Sequence, residues 1–206
     1  VAAGMKRIMS HSIVGSLTAL LATTLLAGVG CTDETDDVSD VVVAADGKED
    51  SIASATDVVS TKLGLDFKNK LGKATLTFAK RGSVSLEAAG LTITSVRDGN
   101  GPKTYRMRSG RLVATDVVSP LQVEYRFAQQ SNSDGLLAGG STVLWPYFCG
   151  NLFPCDSRPS DGTTFEVDIT GVPSGKTVIY PHLISNLAPA YQFAFAVGDY
   201  HTEHLG

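Results

Sequence analysis

From about Asp57 onward the chain alternates apolar and polar residues with period two, a pattern that only strands can use. Ala74, Leu76 and Phe78 alternate with Thr75 and Thr77, and Leu121, Val123, Tyr125 and Phe127 alternate with Gln122, Glu124 and Arg126. Phe165, Val167 and Ile169 alternate with Glu166 and Asp168, and Tyr191, Phe193, Phe195 and Val197 make a last, aromatic-rich run. Successive side chains of a strand point to opposite faces, so each run puts one face on a core and the other in water. The breaks between runs are turn chemistry: Arg81-Gly82, Asp98-Gly99-Asn100-Gly101-Pro102, Ser109-Gly110, Asp134-Gly135, Asp161-Gly162 and Pro173-Ser174-Gly175. Many short strands at close spacing, with hardly any helical periodicity, predict an all-β domain over residues 57–206, an antiparallel β-sandwich or a curved, saddle-like sheet. A domain of that length buries roughly two-thirds of its unfolded surface, enough to be stable alone.

The residues ahead of that domain read differently. Met5 is followed by Lys6 and Arg7, and residues 13–30 carry no charge and are rich in Leu, Ala and Val. A basic start followed by an apolar run is a secretory signal, so residues 1–30 are an address and not part of the fold. Small residues lead from Leu26 up to Cys31, and an acidic stretch follows at once. This resembles the bacterial lipoprotein signal, which implies that Cys31 is lipidated and that the chain is exported and held on a membrane of the bacterial cell envelope. Gly28 departs from that pattern, which prefers Leu there. An ordinary cleaved signal and an uncleaved anchor helix are the other readings, and all three place the rest of the chain outside the cytoplasm.

Residues 31–56 hold eight acidic residues against the single Lys48 and no aromatic residue. Such a segment cannot bury enough surface to offset the entropy of ordering, and is expected to act as a self-repelling tether. From Ser51 to the end, 13 acids face 14 bases, so the domain itself is close to neutral. Nothing in that charge points to a nucleic-acid partner. Cys149 and Cys155 lie six residues apart. They would pair in an oxidising compartment, or serve as two small buried apolar residues, and the sequence leaves both open.

The order of these segments resembles the N-terminal β-domain of the aminopeptidase N family of zinc-dependent gluzincin peptidases. The resemblance rests on Gly-Lys-Ala-Thr-Leu at residues 72–76, and on Leu86, Ala88, Gly90, Leu91, Ile93 and Val96 in a Leu-x-Ala-x-Gly-Leu-x-Ile-x-x-Val pattern. It continues through the strand at 121–127, the Gly135-Leu136 pair, Phe153-Pro154-Cys155 with Pro159, and Ala196-Val197-Gly198-Asp199-Tyr200. It covers about residues 62–206. The family's catalytic parts, a His-Glu-x-x-His helix with a distant Glu and a Gly-x-Met-Glu-Asn strand, do not occur in the 206 residues. The resemblance therefore implies an exported β-domain that packs on a catalytic domain absent from this chain, walls a cleft for peptide substrate, and has no hydrolytic activity alone. No cofactor is expected within these residues, and zinc is expected in the catalytic domain.

By the same resemblance, a Thr-Gln-x-Glu/Gln segment that contacts the substrate's amine falls at Thr142-Val143-Leu144-Trp145. Val143 and Trp145 then stand nearest the substrate, and neither accepts a proton from an ammonium, although the Trp145 ring can face a cation. Gly150 replaces the family's Arg, and Asp156 is displaced by one position with Ser157 in its place.

Other constellations are weaker. His201, Glu203 and His204, with His182 upstream, contain imidazole and carboxylate ligands, but a solvated chain end accounts for them more simply. Trp145, Tyr147, Phe148 and Phe153 would either line a groove or cap the core. No Gly-x-Ser-x-Gly, phosphate loop or dinucleotide fingerprint is present. The alternative function is a non-enzymatic surface lipoprotein whose β-sandwich binds a protein or peptide.

Overall fold

A computed structural model describes residues 57–131, 134–144, 148–201 and 203. The signal and tether readings, with Cys31, fall on residues 1–56 and lie outside the described residues, as do Trp145, Tyr147 and His204.

Fifteen strands follow one another, most of them short. They are β1 (Val58–Asp66), β2 (Leu71–Phe78), β3 (Gly82–Glu87), β4 (Thr92–Asp98), β5 (Gly101–Pro102), β6 (Arg106–Arg108), β7 (Arg111–Val117) and β8 (Leu121–Arg126). The chain continues through β9 (Gln129–Gln130), β10 (Gly135–Leu137), β11 (Thr142–Val143), β12 (Gly162–Thr170), β13 (Thr177–Ile179), β14 (Leu183–Pro189) and β15 (Ala196–Gly198). The described residues contain no α-helix, only one 3-10 turn at Ala190–Gln192. The all-β expectation holds.

The main sheet has seven strands in the order β14-β12-β1-β2-β8-β4-β5. Its alternation is the one visible in the sequence: Ala74, Leu76 and Phe78, Leu121, Val123 and Tyr125, and Phe165, Val167 and Ile169 are all buried. Cross-strand register keeps these residues on one face, with Ala74 opposite Leu63 on one side and Val123 on the other. The outer face carries Lys62 with Glu166 and Lys73 with Glu124, pairs more than half exposed and therefore worth little. A smaller sheet, β3-β7-β6, adds Val84, Leu86, Leu112 and Ala114 to the same core, so the unit is a sandwich of unequal layers. Its β6–β7 hairpin turns on Ser109 and Gly110, both at positive φ, as a two-residue loop requires.

Two features differ from the sequence-based expectation. β1 pairs antiparallel with β2 but parallel with β12, and β9 pairs parallel with β10, so the sandwich is mixed and not uniformly antiparallel. The parallel neighbours β1 and β12 lie far apart in sequence, and a period-two pattern carries no information on strand direction. The run from Tyr191 to Val197 is also not one strand. It begins in the 3-10 turn, passes through extended Phe193, and enters a ladder only at β15. Phe193, Phe195 and Val197 are nonetheless buried, because extended backbone alternates its side chains whether or not it is paired.

Candidate functional site

Chemistry-bearing residues lie on β11 and in the segment after it, which meets the end of β3 at Cys155. β11 places Val143 opposite Gly135 and Thr142 opposite Leu136. Thr142 is fixed twice to Phe195: its amide donates to the Phe195 carbonyl at 2.9 Å, and its hydroxyl accepts from the Phe195 amide at 2.9 Å. That clamp orients the neighbouring Val143, which is half-buried. Its isopropyl group has no polar atom for an amine.

The Phe-Pro-Cys block is closed on itself by a disulfide and tied to β3 through backbone and side chains. The backbones of Glu87 and Cys155 exchange hydrogen bonds in both directions, at 2.7 Å and 3.2 Å. Cys149 and Cys155 are joined in a disulfide, and both are buried. Between these lies the Glu87 carboxylate, whose Oε2 stands 3.9 Å from both sulfurs. The Ser157 hydroxyl donates to Glu87 Oε1 at 2.5 Å, and Arg111 approaches the same oxygen at 3.6 Å. Arg111 is itself held by the Ser85 hydroxyl and carbonyl, each at 2.7 Å. Of the two sequence readings of these cysteines, the paired one describes the structure, and burial accompanies it.

The identities of residues 150, 156 and 157 have physical reasons in this packing. A Cβ on Gly150 would come within 2.8 Å of the backbone of Glu87 and Ala88, so the segment passes too close to β3 for an arginine. Ser157 serves Glu87, whereas Asp156 accepts from both the Arg158 amide at 3.1 Å and its guanidinium at 2.9 Å. Arg158 also reaches Asp161 at 3.3 Å. Burial, then a hydrogen bond that the protonated carboxyl donates to Asp57 and the charge of Asp156, push the Asp161 carboxyl up to about 7, against the opposing pull of Arg158.

The remaining sequence candidates do not assemble. Phe153 is fully buried, edge-on to Phe165 at 6.1 Å and to Phe193 at 5.9 Å, and is a core residue and not a groove wall. His182 packs on the Tyr180 ring at 4.2 Å, and His201 and Glu203 are exposed. Among the described residues, only Glu87, Cys149 and Cys155 group as three closely spaced metal-type ligands. Glu87 was invisible to sequence reasoning, because nothing in its surroundings relates it to cysteines more than sixty residues away. A surface hollow of about 330 Å³ lies elsewhere, over Gly64, Lys73 and Asp168 of the main sheet. Its charged lining includes Lys73 and Glu124, which pair with each other at 3.7 Å.

No protein-family model matches the chain, and no curated protein sequence does. Solved structures do. The fold is similar to an M1 zinc metallopeptidase from Deinococcus radiodurans, at 18% identity and a TM-score of 0.58 over 70% of this chain and 42% of that one. It is similar to Legionella pneumophila aminopeptidase A at 18% identity and a TM-score of 0.57, over 73% of this chain and 22% of that one. Native yeast LTA4 hydrolase gives 18% identity and a TM-score of 0.57, over 73% and 30%. The chain spans less than half the length of these proteins and shares the fold of an all-β portion of them.

Proposed function

We propose that this chain is the N-terminal β-domain of an exported, lipid-anchored zinc metallopeptidase of the aminopeptidase N type. In this reading it packs on a catalytic domain that follows it and walls one side of a cleft for peptide substrate. The observation that carries the reading is the agreement of two independent signals. The ordered segments from Gly72 to Tyr200 resemble that family, and the fold is similar to M1 zinc metallopeptidases over about 70% of the chain. Ile179, Leu183 and Leu187, each more than half exposed on β13 and the edge strand β14, support it as apolar surface available to a covering domain. The His-Glu-x-x-His zinc motif does not occur in the 206 residues, so no residue is assigned to that metal and no catalytic step is derived from this chain.

Val143, half-buried beside the Thr142 clamp, gives the cleft wall an apolar lining where the family uses a polar one, and Trp145 follows it. That single observation favours the second reading, a surface lipoprotein whose sandwich binds a protein or peptide without catalysis. The coding sequence downstream of Gly206 separates them. A His-Glu-x-x-His segment within the length of one further domain is expected, and a stop codon in its place overturns the peptidase reading. The anchor is tested by the intact mass of the protein extracted from envelope membranes. Acylation at Cys31 is expected, and an unmodified chain starting elsewhere removes that part of the proposal.

A further inference from the structure

We propose that reduction of the Cys149–Cys155 disulfide opens a site for a borderline-soft divalent cation such as zinc(II), with the two thiolates and the Glu87 carboxylate as ligands. The geometry is close to what such an ion needs. With metal–sulfur bonds of about 2.3 Å and metal–oxygen bonds of about 2.0–2.2 Å, tetrahedral ligands stand roughly 3.5–3.8 Å apart. Glu87 Oε2 already stands 3.9 Å from each sulfur. Only the sulfur–sulfur separation must grow, to about 3.8 Å, once the bond between them is gone. The Cα atoms of the two cysteines are 6.2 Å apart, a span that side-chain rotation alone accommodates.

The surroundings suit a bound cation. The Ser157 hydroxyl and Arg111 hold the other carboxylate oxygen, and Arg111 is oriented in turn by Ser85, so the third ligand is positioned by partners of its own. Charges close as well: two thiolates and a carboxylate, with the Arg111 guanidinium and a dication, sum to zero. The cysteines are buried, while the Glu87 side chain remains 14% exposed, which gives water and an ion an approach from that side.

The steps balance. A dithiol reductant transfers two electrons and two protons, becoming a disulfide as Cys149 and Cys155 become thiols. The cation then displaces one proton from each thiol to solvent and takes a water as its fourth ligand. The outcome is an exchange of cross-links, with the metal fastening the Phe-Pro-Cys block to β3 when the covalent link is broken.

The test uses the full chain with Cys31→Ala, so that the only thiols are the two in question. It is reduced with a phosphine, desalted without oxygen, and titrated with zinc(II) or cadmium(II) chloride. One equivalent is expected to bind, with sulfur-to-cadmium charge-transfer absorption for two thiolates and a rise in the thermal midpoint, whereas the oxidised protein binds none. Glu87→Gln in the same background should weaken binding at least about tenfold, and Ser157→Ala, which keeps all three ligands, should weaken it less. Absence of metal uptake by the reduced chain overturns the proposal. So does a Glu87→Gln variant that binds as tightly as its parent, or a reduced chain that is unfolded and stays so with metal.

Discussion

The ring of Tyr125 on β8 lies across Gly72 of its neighbour β2, in the space that a Cβ at position 72 would occupy. The tyrosine is almost wholly buried there, and its hydroxyl has no hydrogen-bond partner among the described residues. Burial alone drives its acidity well below that of a free phenol, so the group stays neutral. An orphaned hydroxyl costs about 1–3 kcal/mol of desolvation with nothing to offset it.

Tyr125→Phe should therefore stabilise the domain by about 1 kcal/mol in urea denaturation, since it removes the orphan and leaves the ring. Gly72→Ala should cost about 2–3 kcal/mol by the same measurement, because the methyl group and the ring cannot share one space. A destabilised Tyr125→Phe protein would mean that the hydroxyl has found a partner.

Asp161 predicts a dependence on pH. Its carboxyl titrates near 7 in the folded chain and near the ordinary aspartate value once unfolded, so the folded state holds a proton that the unfolded chain has released. The contribution of this group to stability is complete below about pH 4, declines as pH rises to about 7, and changes no further above that. Asp161→Asn should flatten this decline and raise stability near pH 8 by about 1 kcal/mol, a fraction of the ~1.4 kcal/mol per pKa unit of a fully dry group. Thermal midpoints measured across that range, variant against parent, report the slope directly.

Gly150→Arg should lower stability by more than about 2 kcal/mol. Its Cβ meets the backbone of Glu87 and Ala88, which cannot yield as a flexible side chain would. A soluble variant with an unchanged midpoint would show that the segment can lift away from β3.

Replacing both Cys149 and Cys155 with alanine should cost about 2 kcal/mol, the loop-closure value for so short a loop. The block should keep its place nonetheless, because Phe153 remains packed on Phe165 and Phe193 and the Glu87–Cys155 backbone bridge does not depend on sulfur. Near-ultraviolet dichroism of the variant is expected to match the parent.

The parts of the fold that sequence revealed are those in which one face of a strand is dry. β2, β8 and β12 bury every second residue, and that alternation is written directly in their sequence. β14 gives no such signal, because an edge strand leaves much of itself in water: Leu183 and Leu187 are exposed, and the polar residues between them carry no pattern. The pairing of β1 with β12 was equally hidden, since direction and partner follow from how the whole chain closes. At the candidate site the cysteine pair could be singled out in the sequence, but not Glu87, whose meaning comes only from what the fold sets beside it.

β1 is the first strand of the domain and yet the third in the seven-stranded sheet, with β12 on one flank and β2 on the other. A mechanical pull on the chain ahead of Asp57 is therefore delivered along an interior strand. It loads two hydrogen-bond ladders in shear together, where an edge strand pulled sideways would unzip one rung at a time. Force applied along β1 should therefore unfold the domain less easily than the same force applied to the edge strand β14.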